Sequence, residues 1–143
     1  MRFMMLMIPR VYQGADAGKL SADFAPSTEA VAAMMKYNED LAKAGALIAL
    51  DGLSPLNMGT RIEFPAGKGT VVDGPHSESK EVLGGYWMID VTCREEAIAW
   101  AKRCPASSNE TIEIRQVMEM SDFPPDVQPA AAGFDELRSR PER

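Results

Sequence analysis

The alternation of apolar and polar positions predicts a strand, a helix and a second strand in the first third of the chain. Residues 3–8 are apolar on both faces, as in a central strand that is covered on both sides. Ser27 or Thr28 can cap the helix that follows a loop at residues 9–26, and Gly45 can end it in the left-handed conformation. The apolar stripe of this helix consists of Val31, Met34, Met35, Leu41 and Ala42. Residues 46–50 form the second strand.

The residue pattern in the second half of the chain predicts a hairpin, a strand, a helix and a last strand. Residues 60–64 and 70–73 pair as a β-hairpin, and residues 86–91 form a strand with alternate apolar positions. Thr92 and Glu95 match a capping box, so a helix begins there, and Pro105 stops it. Its buried face consists of Ala97, Trp100, Ala101 and Cys104. Residues 111–117 form the last strand.

This order of elements predicts an α+β fold. Two βαβ-type units around a β-hairpin describe a ferredoxin-like sandwich with both helices on one face of the sheet. The other face must also be covered, and a second copy of the same sheet is the economical cover, so we expect a homodimer. Residues 1–120 form this domain. Residues 121–143 carry little patterned apolar surface and form a C-terminal extension, poorly structured or with a short helix at residues 134–138.

Composition excludes some classes of protein. The chain has 143 residues, 45% of them hydrophobic and 25% charged, as in an ordinary globular domain. A net charge of -6 argues against a nucleic-acid partner, which needs a basic footprint. The apolar run at the start is too short to span a membrane and lacks a signal-peptide cleavage site, so we expect no membrane partner and a cytoplasmic protein. Cys93 and Cys104 lie at opposite ends of one predicted helix, too far apart for a disulfide.

The polar loop between the hairpin and the next strand is the candidate site. It contains Asp73, His76 and Glu78, and His76 is the only histidine of the chain. Gly74 and Pro75 restrict the turn and so fix the direction of the Asp73 carboxylate. If the two acids and the imidazole converge, they suit acid–base chemistry without a cofactor. The alternatives are an Asp73 that caps its own turn and a solvated His76.

The other residues of the loop have ordinary structural explanations. Lys80 and Glu81 form an ion pair or are solvated. Gly84 and Gly85 let the backbone turn tightly into the strand at Tyr86; they are less suited to phosphate, because no helix N-terminus follows them. The chain lacks the closely spaced His and Cys ligands of a zinc site, so we expect neither a metal nor another cofactor.

Several motifs resemble those of the YCII-related proteins of the DGPF type. These are Asp73-Gly74-Pro75, Lys80-Glu81, Leu83-Gly84-Gly85-Tyr86 and the helix at residues 96–101. The resemblance spans about residues 1–118 and implies a dimeric α+β barrel. It also marks as motif or ligand-binding positions Gly74, Pro75, Lys80, Glu81, Gly84, Gly85 and Tyr86. The biochemical role of this branch is not established, although some members are fused to sigma factors or encoded beside them.

Two departures from the family pattern bear on function. His76 stands where the family usually has Phe after Asp-Gly-Pro. Related proteins carry a His-Asp pair proposed as catalytic, with the histidine on or near the first helix, but residues 28–45 contain no histidine. That dyad therefore cannot be carried over to this chain.

Two classes of function remain open. The favoured one is a non-catalytic dimer, which binds a small apolar or amphipathic molecule between its sheets, in a cavity lined by Met, Tyr and Trp, or serves as an accessory to transcriptional regulation. The alternative is a cofactor-free lyase or isomerase that uses Asp73, His76 and Glu78. A purely structural dimer is the third interpretation.

Overall fold

The computed structural model describes residues 1–10, 25–73 and 82–138, and within them the predicted strands and helices occur in the predicted order. Most of the predicted 9–26 loop lies outside these residues. The elements of the core are β1 (Arg2–Ile8), α1 (Thr28–Lys43), β2 (Leu47–Gly52), β3 (Thr60–Glu63), β4 (Thr70–Asp73), β5 (Gly85–Asp90), α2 (Arg94–Arg103) and β6 (Thr111–Gln116). A 3₁₀ turn at Leu56–Met58 precedes β3.

Four strands form one sheet in the order β2-β5-β1-β6, and every neighbouring pair is antiparallel. In the centre, Met5 of β1 lies opposite Trp87 of β5 and Ile114 of β6. Because β1 and β2 are both antiparallel to β5, they run parallel to each other with β5 between them. The prediction of an α+β fold is confirmed. The sheet is open, and the described residues form no closed barrel.

Both α1 and α2 pack on one face of this sheet. The core consists of alternate residues of β1 and β5 together with helix residues, namely Phe3, Met5, Met7, Trp87, Ile89, Tyr37, Leu41, Ala97 and Trp100. The predicted caps of α1 are present: the Ser27 hydroxyl accepts the Ala30 N–H at 3.2 Å, and Gly45 follows the helix with φ +70°. Ala97 and Trp100 confirm the predicted buried face of α2.

The predicted stripe of α1 was partly wrong. Val31 and Met35 are 46% and 53% exposed, and Ala42 is exposed too, whereas Leu41 is buried and Met34 is half-buried. Tyr37, which was not in the predicted stripe, is buried. Each step along a helix turns the side chain by about 100°, so Met35 points away from the face that Met34 and Leu41 share. Tyr37 belongs to the core because its hydroxyl donates to the Trp100 carbonyl at 3.0 Å. This burial raises the pKa of Tyr37.

The capping residue predicted for α2 was also wrong. The helix begins at Arg94 after Cys93, one residue later than the predicted Thr92 cap implies. The third helical residue is therefore Glu96, and its carboxylate accepts the Thr92 hydroxyl at 2.6 Å and the Thr92 N–H at 2.8 Å. Glu96 takes the role that the sequence assigned to Glu95.

The second face of the sheet is covered by neither α1 nor α2, and we call it the open face. Its centre is apolar and half-buried, with Met4 and Leu6 of β1 beside Met88 and Tyr86 of β5. By strand alternation, twelve side chains at paired positions belong to the open face: Arg2, Met4, Leu6, Ile8, Ala49, Asp51, Tyr86, Met88, Asp90, Thr111, Glu113 and Arg115. Charged residues lie at its edges and at one end, and apolar residues in the middle.

The predicted hairpin is confirmed, but it is a separate two-stranded sheet. β3 and β4 pair with each other, with Ile62 opposite Val71, and their residues are largely exposed. We call residues 60–73 the arm.

The C-terminal extension contains short helical turns at Met120–Asp122 and Gln128–Ala131 and a last helix, α3 (Phe134–Arg138). Ion pairs link this extension to β1. The Arg2 guanidinium donates to both oxygens of Glu119 at 2.7 and 2.9 Å, and Arg138 donates to the same carboxylate at 3.2 Å. The division at residue 120 stays a prediction. In the described part of the chain, no helix has the length and apolar character that crossing a bilayer requires.

Candidate functional site

Gly84 and Gly85 join three strands at one end of the main sheet. The Gly84 N–H donates to the Met7 carbonyl, and the Leu53 N–H donates to the Gly84 carbonyl, both at 2.9 Å. Gly85 is the first residue of β5 and lies opposite Gly52 of β2. These two glycines therefore continue the backbone hydrogen bonds that link β1, β5 and β2 at this end of the sheet.

A close backbone approach explains why position 85 holds glycine. A Cβ atom placed on Gly85 would lie 2.8 Å from the Asp51 carbonyl oxygen, closer than real Cβ atoms come to a backbone atom. Gly85 is buried, so the neighbouring strand has little room to move. The sequence assigned this glycine to a tight turn, but the structure shows that it serves strand packing.

A cavity of about 200 Å³ lies beside these glycines. Apolar side chains of β1, α1 and β5 line it, including Met7, Met34 and Trp87. Asn38 of α1 also lines it, and the Asn38 Oδ1 accepts the Trp87 indole N–H at 2.8 Å. The cavity is smaller than the roughly 300–1,000 Å³ of most small-molecule sites, so it suits a small fragment better than a whole ligand.

Tyr86 points to the other side of the sheet, onto the open face. Its hydroxyl donates to Oδ2 of Asp51 at 2.9 Å, directly across from it on β2. Since the bonded carboxylate favours the protonated phenol, the hydrogen bond raises the pKa of Tyr86, and the negative charge of Asp51 adds to the effect. The pair is one of the polar groups at the edge of the open face, whose centre is apolar.

Asp73 is the one member of the predicted acid–base group whose position is described. It is the last residue of β4 and is exposed, and its Oδ1 accepts the Thr60 hydroxyl at 3.2 Å across the hairpin. This bond ties the carboxylate to the base of the arm. The remaining predicted positions, Gly74, Pro75, His76, Glu78, Lys80 and Glu81, lie outside the described residues, so their convergence stays a prediction.

A larger groove, of about 570 Å³, was not predicted from the sequence. It lies between the first turns of α1, with Val31 and Met35, and the segment after α2, with Pro105 and Glu110. The Glu110 carboxylate already accepts the Ser107 N–H at 2.6 Å. Its walls come from segments that are far apart in the chain, so no local pattern could indicate the groove.

Metal-ligating side chains and thiols are the remaining reactive groups of the described residues. Within residues 1–10, 25–73 and 82–138, no three His, Cys, Asp or Glu side chains are grouped as metal ligands would be. Cys93 and Cys104 are free and half-buried. Burial raises the pKa of the Cys104 thiol to about 11, and the Glu110 charge adds to this, so the reactive thiolate is scarce at neutral pH.

Comparison with known proteins identifies the family. The sequence model of the YCII-related domain matches residues 1–121, which is most of the chain. The chain belongs to the YCII-related family. The resemblance to this family is thereby confirmed, while the narrower DGPF type stays a prediction.

One relative of this YCII-related chain is an uncharacterized protein of Rhizobium meliloti (strain 1021). The two are 35% identical over 71 residues, which cover 50% of this chain and 54% of the relative. The chain thus matches about half the length of that curated relative.

Proposed function

We propose that this YCII-related chain forms a homodimer through its open face and binds a small apolar or amphipathic molecule between the two sheets. The observation that carries the proposal is the apolar centre of that face. Met4, Leu6 and Met88 lie side by side there, on strands at the middle of the sheet, and neither long helix covers them. An apolar centre with a charged rim is typical of a protein interface.

The strand order supports the architecture that such a dimer needs. β2-β5-β1-β6, with both long helices on one face, is the order that we would expect of a ferredoxin-like sandwich with two split βαβ units. Two such sheets packed face to face make a dimeric α+β barrel. In this arrangement the open faces become the inner walls.

The side chains of the open face favour an amphipathic ligand. Met4 and Met88 are flexible and polarizable, so they adapt to ligands of different shape. The Tyr86–Asp51 pair adds a hydrogen-bonding group at the edge. Trp side chains were also expected in this lining, but both tryptophans, Trp87 and Trp100, belong to the core on the helix side of the sheet.

Analytical ultracentrifugation and binding of the fluorescent dye ANS test the proposal together. We expect a dimer that binds ANS, and we expect Met4→Lys to be monomeric and to lose dye binding, because it buries a charge at the interface. Ala33→Lys is the control, since Ala33 is exposed on α1 and does not line the larger groove beside that helix. A wild-type protein that is monomeric at all concentrations would refute the proposal.

A cofactor-free lyase or isomerase is the second proposal, supported by the exposed Asp73 carboxylate at the start of the candidate loop. It requires Asp73 to hold the imidazole of His76, with Glu78 as a second acid or base. Because the chain has one histidine, its ring gives a single set of ¹⁵N signals. We expect Asp73→Asn to change these signals and Glu113→Gln to leave them unchanged. Identical spectra of wild type and Asp73→Asn would exclude the pair.

A further inference from the structure

The arm presents apolar side chains on one face near its turn, whereas the opposite face, with Arg61, Glu63, Thr70 and Val72, is mainly polar. Because side chains alternate along a strand, Ile62 and Phe64 of the first segment share a face with Val71 of the second, while Glu63 lies on the opposite face. Gly69 lies beneath the apolar face: a Cβ there would be 3.1 Å from both the Ile62 and Phe64 side chains. The glycine therefore lets these two side chains pack down on the ribbon.

This apolar face is uncovered in the described part of the chain. Ile62, Phe64 and Val71 are 51%, 64% and 60% exposed. An isolated two-stranded hairpin is at best marginally stable in water, and a contiguous exposed apolar patch is typical of an interaction surface. The arm therefore needs a partner.

The size of the proposed dimer interface indicates which partner this is. The open face contributes twelve side chains, whereas a stable interface uses about 20–30 residues from each subunit. The open face alone is thus about half of what a stable dimer requires. The arm carries three adjacent, strongly exposed apolar side chains on one two-stranded ribbon, which suits the missing part of the interface.

We infer that the apolar face of the arm packs against the second copy of the chain and completes the dimer interface. This inference rests on the proposed homodimer. By two-fold symmetry each subunit gives one arm and receives one, so the arm contributes twice to the same interface.

Sedimentation equilibrium of the full-length chain tests this role. The variant Ile62→Thr/Val71→Thr keeps β-branched residues that favour the strand but removes apolar surface. We expect its dimer dissociation constant to rise at least about tenfold. The control Glu63→Gln changes the polar face of the same ribbon, and we expect it to leave the constant unchanged. Circular dichroism checks that all variants keep the wild-type fold.

The outcomes separate the two proposals. A monomeric wild type overturns both. A wild-type dimer whose dissociation constant is the same in the arm variant overturns the inference and leaves the open-face dimer standing; the arm would then serve another partner.

A second measurement does not depend on the stability of the variant. The photoreactive residue benzoylphenylalanine in place of Phe64 should cross-link two chains, and mixing isotope-labelled with unlabelled protein identifies the link as intermolecular. Cross-links within single chains alone would contradict the inference.

Discussion

At the scale of single residues, the backbone contact at Gly85 gives the sharpest prediction. Gly85→Ala places a Cβ 2.8 Å from the Asp51 carbonyl, so β2 and β5 must separate locally. We expect the free energy of unfolding, measured with urea, to fall by about 1–3 kcal/mol, as for other overpacked sites. Gly52, directly across from it, is the matched control, because a Cβ there meets no atom within 4 Å. Equal losses in both variants would show that glycine flexibility, and not strand approach, sets the cost.

The same contact shows what single positions in the sequence could not reveal. The Gly84-Gly85 pair was noticed from the sequence, but its role depends on which strand lies beside it. Asp51, which approaches Gly85 and accepts the Tyr86 hydroxyl, is 35 residues before Tyr86 in the chain. From the sequence alone, the preference of glycine for tight turns was enough to explain both residues. The pairing of β2 with β5 gives a different reason for Gly85, the close approach of the Asp51 backbone.

At the scale of elements, the start of α2 distinguishes two neighbouring glutamates. The Thr92 hydroxyl and, with a smaller effect, the Thr92 N–H donate hydrogen bonds to the charged form of Glu96. These bonds lower the pKa of that carboxyl. Its stabilisation is therefore complete above the unfolded glutamate pKa, about 4.3, and is lost as the pH falls through the lower folded-state value. We expect Glu96→Gln to be less stable than wild type at pH 7, and the difference to vanish in acid.

Glu95→Gln is the control for this prediction. Glu95 makes no capping bond to Thr92, whose hydroxyl and N–H are both taken by Glu96. Thermal unfolding between acid and neutral pH measures both variants. A pH-dependent loss of stability in Glu95→Gln, with none in Glu96→Gln, would support the cap that the sequence suggested.

Elements were predicted well from the sequence, and their contacts less well. Apolar periodicity, Ser27 and Gly45 placed α1 correctly, because caps and periodicity are local properties. The face of α1 that meets the sheet was misjudged because Tyr37 counts as polar in a hydropathy pattern. Its place in the core depends on a carbonyl acceptor 63 residues away, at Trp100.

At the scale of the whole molecule, the order of elements was enough to predict the α+β fold, because few topologies fit short, right-handed connections. It could not show that the hairpin would stand apart from the main sheet, because the sequence pattern of a hairpin indicates only its internal pairing. The order of elements also could not predict that the C-terminal extension would contact β1. Arg2 and Glu119 are 117 positions apart, and neither belongs to a motif.

We expect the C-terminal extension to detach from β1 when the ion pairs of Glu119 with Arg2 and Arg138 are broken. Glu119→Gln removes the charge that two guanidinium groups share. The groups are partly exposed, so we expect a global cost of about 1 kcal/mol or less. We expect a larger local effect, with faster hydrogen exchange of the amides in residues 120–138 and unchanged exchange in α2.

Glu113→Gln is the control for this release, because the Arg115–Glu113 pair is 3.8 Å long and more exposed. If the extension exchanges at the wild-type rate in Glu119→Gln, then packing and not charge holds it. Exchange that becomes faster only in the extension would mean that one carboxylate joins the two ends of the described chain, while the core of sheet and helices folds independently of it.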